Sequence, residues 1–364
     1  MKLGFGLYRH MLNPASFAFA KQVGATHVIV HLVDYFKKGG AANQRQDQPV
    51  GELAGWGHAG DADRLWTLDE LRDIKKQIGE AGLVWEAIEN FDPAHWSDVL
   101  LDGPRKKRQL DGLKTMIRRV GEAGVPIIGY NFSIAGVAGR VTSPFARGGA
   151  LSVGMTGPVD APIPNGMVWN MVYDDNAAPG HLPPATPEQL WKRAEDFLNE
   201  CLPVAEQSGV RLAAHPDDPP MPTVRSQPRL VYRPELYQRL IDINRSPSNQ
   251  LECCVGTLAE MNGGDVDVYK AVDQYSAQDR IAYVHLRNVR GKVPYYRETH
   301  IDEGDLDVLR VIRILRKNGF SGVIIPDHAP QLTCDAPWHA GMAFAMGYLR
   351  ACLKATGPDD VLPL

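Results

Sequence analysis

The sequence predicts an α/β protein, a single-domain (β/α)8 barrel with long βα loops, on three observations. Eight short apolar, β-rich runs recur along the chain, helix-like stretches separate them, and polar residues of catalytic type cluster where the runs end. The 364 residues, 44% hydrophobic and 23% charged, form a globular composition with material for a large core. Length alone is compatible with one or two domains. The unbroken alternation favours one barrel over residues 1–364, with loop insertions at about 33–66 and 133–185 that exceed ordinary βα connections. An open doubly wound sheet is the alternative, but no GxGxxG follows the first run.

In chain order the runs are KLGFGLY (2–8), THVIVHL (26–32), LVWEAIE (83–89), PIIGYNF (126–132), VRLAAHP (210–216), LECCVGT (251–257), IAYVHLRN (281–288) and SGVIIPDHA (321–329). Helices are predicted over 14–24, from Thr67 with Glu70 three residues on, over the basic stretch 104–124, and from Thr186 with Pro187 in the first turn and Gln189 at the third position. Two more are predicted over 305–319 and near 338–355. The two threonine starts have the pattern that satisfies the free N–H groups of a first turn.

A net charge of −4, with acidic and basic residues scattered, supplies neither a basic stripe for nucleic acid nor a polybasic membrane patch. A small-molecule partner is expected. The opening residues lack the apolar stretch of a signal peptide, and no run reaches the roughly 20 apolar residues of a spanning helix, so a cytoplasmic protein is expected. Five cysteines, Cys201, Cys253, Cys254, Cys334 and Cys352, are too sparse for a disulfide framework.

In such a barrel the chemistry sits at the carboxyl ends of the strands. There the runs deliver Glu89 and Asn90, Asn131, His215, Cys254, His285, and Asp327 with His328. His215, Cys254, His285 and Asp327 end four consecutive predicted strands and make a plausible divalent metal site. Two imidazoles and a thiolate favour a transition metal over Mg²⁺ or Ca²⁺. Side chains alternate along a strand, so only one of Cys253 and Cys254 faces the lumen. Asp217 and Asp218 suit a proline-rich turn equally well. His10, His27, His31, His58, His95 and His181 lack such company and are expected to be structural or on the surface.

HPDDPP (215–220) with Pro228-Arg229, Cys254-Val-Gly-Thr, HLRNV (285–289), Glu298/His300/Gly304-Asp305 and PDH (326–328) resemble, in order, the motifs of the mannonate dehydratase family. QVGATHV (22–28), AGLVWEAIE (81–89) and YNF (130–132) fit the same family, whose barrel is xylose-isomerase-like. The resemblance implies a hydro-lyase that converts D-mannonate to 2-keto-3-deoxy-D-gluconate by β-elimination in hexuronate catabolism. It implies Mn²⁺ or a similar divalent ion (Fe²⁺, Co²⁺ or Ni²⁺), a homo-oligomer, and metal ligands at His215, Cys254, His285 and Asp327. Arg140 falls where the family has a substrate-holding arginine, and His328 matches its proton-transfer histidine. Asn131 is expected to share the anchoring with Arg140. Glu89, Asp217 and Arg287 are further candidates at the substrate, Asp217 by orienting His215.

The chain departs from the family pattern in DAPWHAGMAFAMGYL (335–349), where Pro337 or Trp338 stands near a family tyrosine and Met342 at an arginine. Ala138 stands at a family tryptophan and Arg297 at a histidine. Tyr295 and Tyr296 are candidates to replace the tyrosine. The departures keep two rival readings open: an isomerase, epimerase or keto-glycoside lyase acting on keto-sugars with the same metal, and a non-catalytic sugar binder.

Overall fold

The eight apolar runs form the eight parallel strands of a closed barrel in a computed structural model that describes residues 1–38, 49, 53–263 and 266–357. They are β1 (Lys2–Leu7), β2 (His27–Val30), β3 (Val84–Glu89), β4 (Ile127–Tyr130), β5 (Arg211–Ala214), β6 (Asn249–Cys254), β7 (Ile281–His285) and β8 (Val323–Ile325). Each strand pairs with its sequence neighbours and β8 closes on β1, with Lys2 opposite Val323. Helices α1 (Pro14–Gln22), α2 (Leu68–Glu80), α3 (Pro93–Leu101), α4 (Lys106–Glu122) and α5 (Pro187–Gln207) follow the first four strands. Then come α6 (Glu235–Ile243), α7 (Val255–Glu260), α8 (Val268–Ala277), α9 (Val308–Lys317) and α10 (Pro337–Thr356).

Local sequence explains the helix starts. Thr186 caps α5 with the reciprocal pair to Gln189, and the Thr67 hydroxyl accepts from the Glu70 amide at 3.2 Å, each cap contributing about 1 kcal/mol. Helices α3, α6, α7 and α8 are additional to those the sequence predicts; α3 and α8 are capped by the Asp92 and Asp267 side chains, while α6 and α7 have no side-chain cap. α3 has a break at Trp96 (φ −148°), and all but its last residue are buried.

Alternation along the strands sorts the interior into layers. The upper layer holds Tyr8, His31, Glu89, Asn131, His215, Cys254, His285 and Asp327, one from each strand or the residues just beyond it. Two residues back along each strand lie Gly6, Ile29, Ala87, Gly129, Ala213, Glu252, Tyr283 and Ile325. That lower layer is mostly apolar, and Ile29, Ala87, Ala213, Tyr283 and Ile325 belong to one buried cluster.

Two long connections overlie the upper layer. Between β4 and α5 the chain forms the strands Val141–Ser143 and Ser152–Thr156, which join the hairpin Asn288–Lys292/Tyr295–Thr299 in a four-stranded antiparallel sheet. A second hairpin, Met167–Val168 with Met171–Val172, turns through Trp169 and Asn170, both at positive φ (53° and 59°). Much of the insertion expected at 33–66 lies outside the described residues. Its described part brings Tyr35 and Trp56 against Trp169. Among the described residues no helix is long and apolar enough to cross a membrane.

Candidate metal centre and active site

A pocket opens at the carboxyl ends of the strands. Its walls include Tyr8, His31, Glu89, Asn131, His215, His285, Asp327 and His328 from the barrel, and Arg140, Trp169, Asp218, Trp338 and Met342 from loops and α10. The register of β6 on β7 sets Cys254 beside His285. His215, Cys254 and His285 offer donor atoms within 4.8 Å of one another. Asp327 joins them, with Oδ1 3.4 Å from His285 Nδ1 and Oδ2 3.9 Å from Cys254 Sγ. Cys253 points the other way, into the main core. Asp327 holds a positive φ of 55°, backbone strain of the kind that accumulates at functional sites.

The electrostatics suit a cation. Burial would push the Cys254 thiol up, but the Arg287 guanidinium and hydrogen bonds with His215 and His285 bring it down to about 6. Burial opposes the charge of His215, yet the neighbouring Glu252 and Cys254 raise its pKa to about 10. Burial would push the Glu89 carboxyl up, but the charges of His31 and His285 hold it down at about 2. Burial and the charge of Glu89 push Glu252 up to about 8. Among the described residues, both His285 ring nitrogens, Glu89 Oε2 and Glu252 Oε1 are buried and lack a well-aligned hydrogen-bond partner. Two imidazoles, a thiol and a carboxylate around such unsatisfied atoms fit a transition ion, so the residues present are compatible with a bound metal.

His215 Nδ1 lies 2.6 Å from the Pro216 carbonyl, which leaves Nε2 to face Cys254 and Glu252. His328 Nδ1 is 3.0 Å from Glu298 Oε1 and its Nε2 is 3.3 Å from Asp327 Oδ1. Arg140, 5% exposed, has Asp218 Oδ2 at 3.7 Å and Glu298 Oε1 at 4.0 Å. Its Nη2 donates to the Pro49 carbonyl at 3.4 Å. The Asn131 amide donates to the Pro216 carbonyl, while its Oδ1 accepts from Trp169.

Two residues expected at the substrate are elsewhere. Asp217 does not orient His215; its Oδ2 accepts from the Leu230 and Val231 amides at 2.7 Å and its Oδ1 pairs with Arg229 at 2.8 Å, so it holds a loop. Arg287 is fully engaged behind the pocket, donating to Asp218, Glu260, Thr257 and Asp327. Of the HPDDPP pair, Asp218 is the pocket residue.

Sequence reasoning also missed His31, treated as structural, which lines the pocket with Nε2 3.6 Å from Glu89 Oε2. Its signal was present, since it follows β2 as His215 follows β5. Glu252 and Glu260 were missed as well, and Glu298, quoted only as part of a motif, was given no place at the site. Glu252 was findable from its spacing, two residues before Cys254 on the same strand face. Tyr296 is buried, its hydroxyl without a hydrogen-bond partner among the described residues, and Tyr295 is 65% exposed; neither lines the pocket.

The fold and this rim define a (β/α)8 barrel with a candidate transition-metal centre at the carboxyl ends of its strands. The family model for D-mannonate dehydratase (UxuA) matches residues 1–142 and 185–355. The chain belongs to the D-mannonate dehydratase family. It is 30% identical over 324 residues to a mannonate dehydratase of Streptococcus pneumoniae, covering 81% of this chain and 86% of that one. It is 29% identical over 292 residues to a Lactococcus lactis mannonate dehydratase, covering 73% of this chain and 79% of that one. The crystal structure of the Streptococcus suis enzyme superposes with a TM-score of 0.73 at 24% identity, over 98% of this chain and 93% of that chain. An Escherichia coli 3-keto-D-glucoside 4-epimerase shares the fold at a TM-score of 0.53 and 14% identity, over 97% of this chain and all of that one.

Proposed function

We propose that this protein is a metal-dependent hydro-lyase that removes water from D-mannonate to give 2-keto-3-deoxy-D-gluconate. Family membership over most of the chain carries the reading, supported by a rim whose donor set suits a transition ion. His215, Cys254, His285 and Asp327 would hold the ion, with Mn²⁺ preferred and Fe²⁺, Co²⁺ or Ni²⁺ as substitutes. When bound, such an ion acts as a Lewis acid that stabilises negative charge developing on the substrate's oxygens.

The hydrogen α to a carboxylate is weakly acidic, so its removal needs a positioned base and a cationic partner for the enediolate. Arg140 holds the substrate carboxylate and Asn131 a neighbouring hydroxyl. His328 takes the α proton at Nε2 while Glu298 fixes the ring through Nδ1. The same imidazolium then returns a proton to the hydroxyl on the next carbon, which leaves as water. The enol left behind tautomerises to the 2-keto acid. Glu89 keeps the inner side of the pocket negative. Epimerases with this barrel share the fold alone with this chain, so no observation favours the keto-sugar reading. A soluble homo-oligomer in the cytoplasm, working in hexuronate catabolism, completes the proposal.

The test is an assay of Mn²⁺-loaded protein with D-mannonate, following the 2-keto-3-deoxy acid, beside Cys254→Ala and His328→Asn. Turnover by the unmodified protein is expected. Cys254→Ala should lose both metal and product, and His328→Asn should keep the metal but lose at least 10²-fold in kcat, a typical value for removal of a general base. Metal bound in full with no product from mannonate, but turnover of a neutral keto-sugar, would overturn the substrate.

A further inference from the structure

Glu252 is the anomaly of the layer beneath the rim. It is completely buried, and its layer neighbours Ile29, Ala87, Ala213 and Ile325 are apolar. A lone carboxylate in such surroundings is costly unless it is bonded and has a partner. Its Oε2 accepts from the Tyr283 hydroxyl at 2.6 Å. Two strands away on β4, Gly129 leaves the space that this pair occupies: a Cβ there would lie 2.2 Å from the Tyr283 hydroxyl and 2.8 Å from Glu252 Oε2. Three strands thus cooperate to hold the carboxylate in one orientation.

The other oxygen, Oε1, points up at the rim. It is 3.1 Å from His285 Nε2 and 3.8 Å from His215 Nε2. Glu89 Oε2 lies 3.2 Å from the same His285 nitrogen. The imidazole therefore presents its two edges to different company, with carboxylates at Nε2 and Asp327 Oδ1 at Nδ1, 3.4 Å away. A neutral imidazole carries one hydrogen, so whichever edge holds it fixes the edge that can bind a metal.

We propose that Glu252 is a positioning residue for the metal centre, acting on His285. It takes the Nε2 hydrogen, shared with Glu89, and so presents the Nδ1 lone pair to the ion that Cys254 and Asp327 serve. Glu252 is the fixed member of the carboxylate pair because Tyr283 locks its orientation, whereas Glu89 also faces His31 and the open pocket. The inference rests on the metal centre proposed above, and it concerns a residue that does not itself bind the ion.

The test is Co²⁺ titration of the full-length protein, followed in the near ultraviolet by the thiolate-to-cobalt band, with total cobalt per chain measured on the same samples. The unmodified protein should bind one ion with the band present, and Cys254→Ala should lose the band. Glu252→Gln keeps the volume and a partner for Tyr283, but it sets a neutral amide where the acid faces Nε2, and an amide oxygen is a weaker acceptor than a carboxylate. It should retain the band while Co²⁺ binds about 10- to 100-fold more weakly, the usual effect of losing such a partner. Tyr283→Phe, which frees Glu252 without removing it, should weaken binding less, and it serves if Glu252→Gln does not fold. Unchanged affinity in the variants overturns the inference. So does a second ion per chain that vanishes in Glu252→Gln, because Glu252 would then be a ligand. An unmodified protein with no thiolate band sinks the metal centre itself, a result distinct from both.

Discussion

The indole Nε1–H of Trp169 lies 3.1 Å from both the main-chain oxygen and Oδ1 of Asn131. Trp169 sits in a hairpin within the stretch that the family model leaves unmatched, and that hairpin is pinned to the loop after β4. Its amide donates to Ile134 at 2.7 Å, and Asn170 donates to Val137 at 2.8 Å. The indole therefore sets the Asn131 side chain in the pocket. Trp169→Phe keeps an aromatic ring beside Tyr35 and Trp56 but removes the donor. We expect KM for D-mannonate to rise about tenfold, equivalent to about 1.4 kcal/mol, with kcat changed much less. Steady-state kinetics would decide, and an unchanged KM would show that Asn131 needs no such support.

Most of the barrel was legible because each strand is a compact apolar run. The rim residues followed from the run ends, since strand direction fixes which end carries polar groups. His31 was hidden by lack of sequence neighbours, although a strand end brings company from seven other strands. Asp217 and Asp218 could not be ranked, because adjacent residues in a proline-rich turn point in different directions and only the turn decides. Arg287 looked like a substrate ligand because its buried acids, Glu260 and Asp218, come from distant loops and helices. The hairpin carrying Trp169 lacked any strand-length apolar pattern.

Asp217 supports a loop, and its variants should behave accordingly. The Arg229 side chain is fully buried, and its Nε sits 2.8 Å from Asp217 Oδ1. Its other nitrogens donate to the carbonyls of Gly136 and Asp218. Asp217→Ala leaves that guanidinium uncompensated and two amides unsatisfied. A loss of about 3–5 kcal/mol of stability is expected, read by denaturant unfolding, while metal content per folded chain stays unchanged. Loss of metal without loss of stability would return Asp217 to the site.

Gly129 offers a packing test of the layer beneath the rim. Its φ is not in the left-handed region, so alanine is tolerated by the backbone and the effect is steric. The added methyl must push the Tyr283 hydroxyl aside, and overpacking of this kind costs about 1–3 kcal/mol. Thermal unfolding of Gly129→Ala should show that loss. A variant as stable as the parent would mean that the tyrosine can relocate freely.

The Cys254 thiol gives a pH test. An acidic group whose pKa is depressed on folding contributes its full stabilisation above its unfolded value, about 8.5 for a thiol. That contribution shrinks as pH falls and is lost as the thiolate protonates through about 6. In metal-free protein the thiolate absorbance near 240 nm, taken as the difference from Cys254→Ala, should rise with a midpoint near pH 6. Because protons compete with the ion for the same sulfur, metal affinity should fall steeply below that pH. A midpoint near the ordinary thiol value would mean that Arg287 and the two imidazoles do not hold the thiolate, and the sulfur would then be a poor ligand at neutral pH.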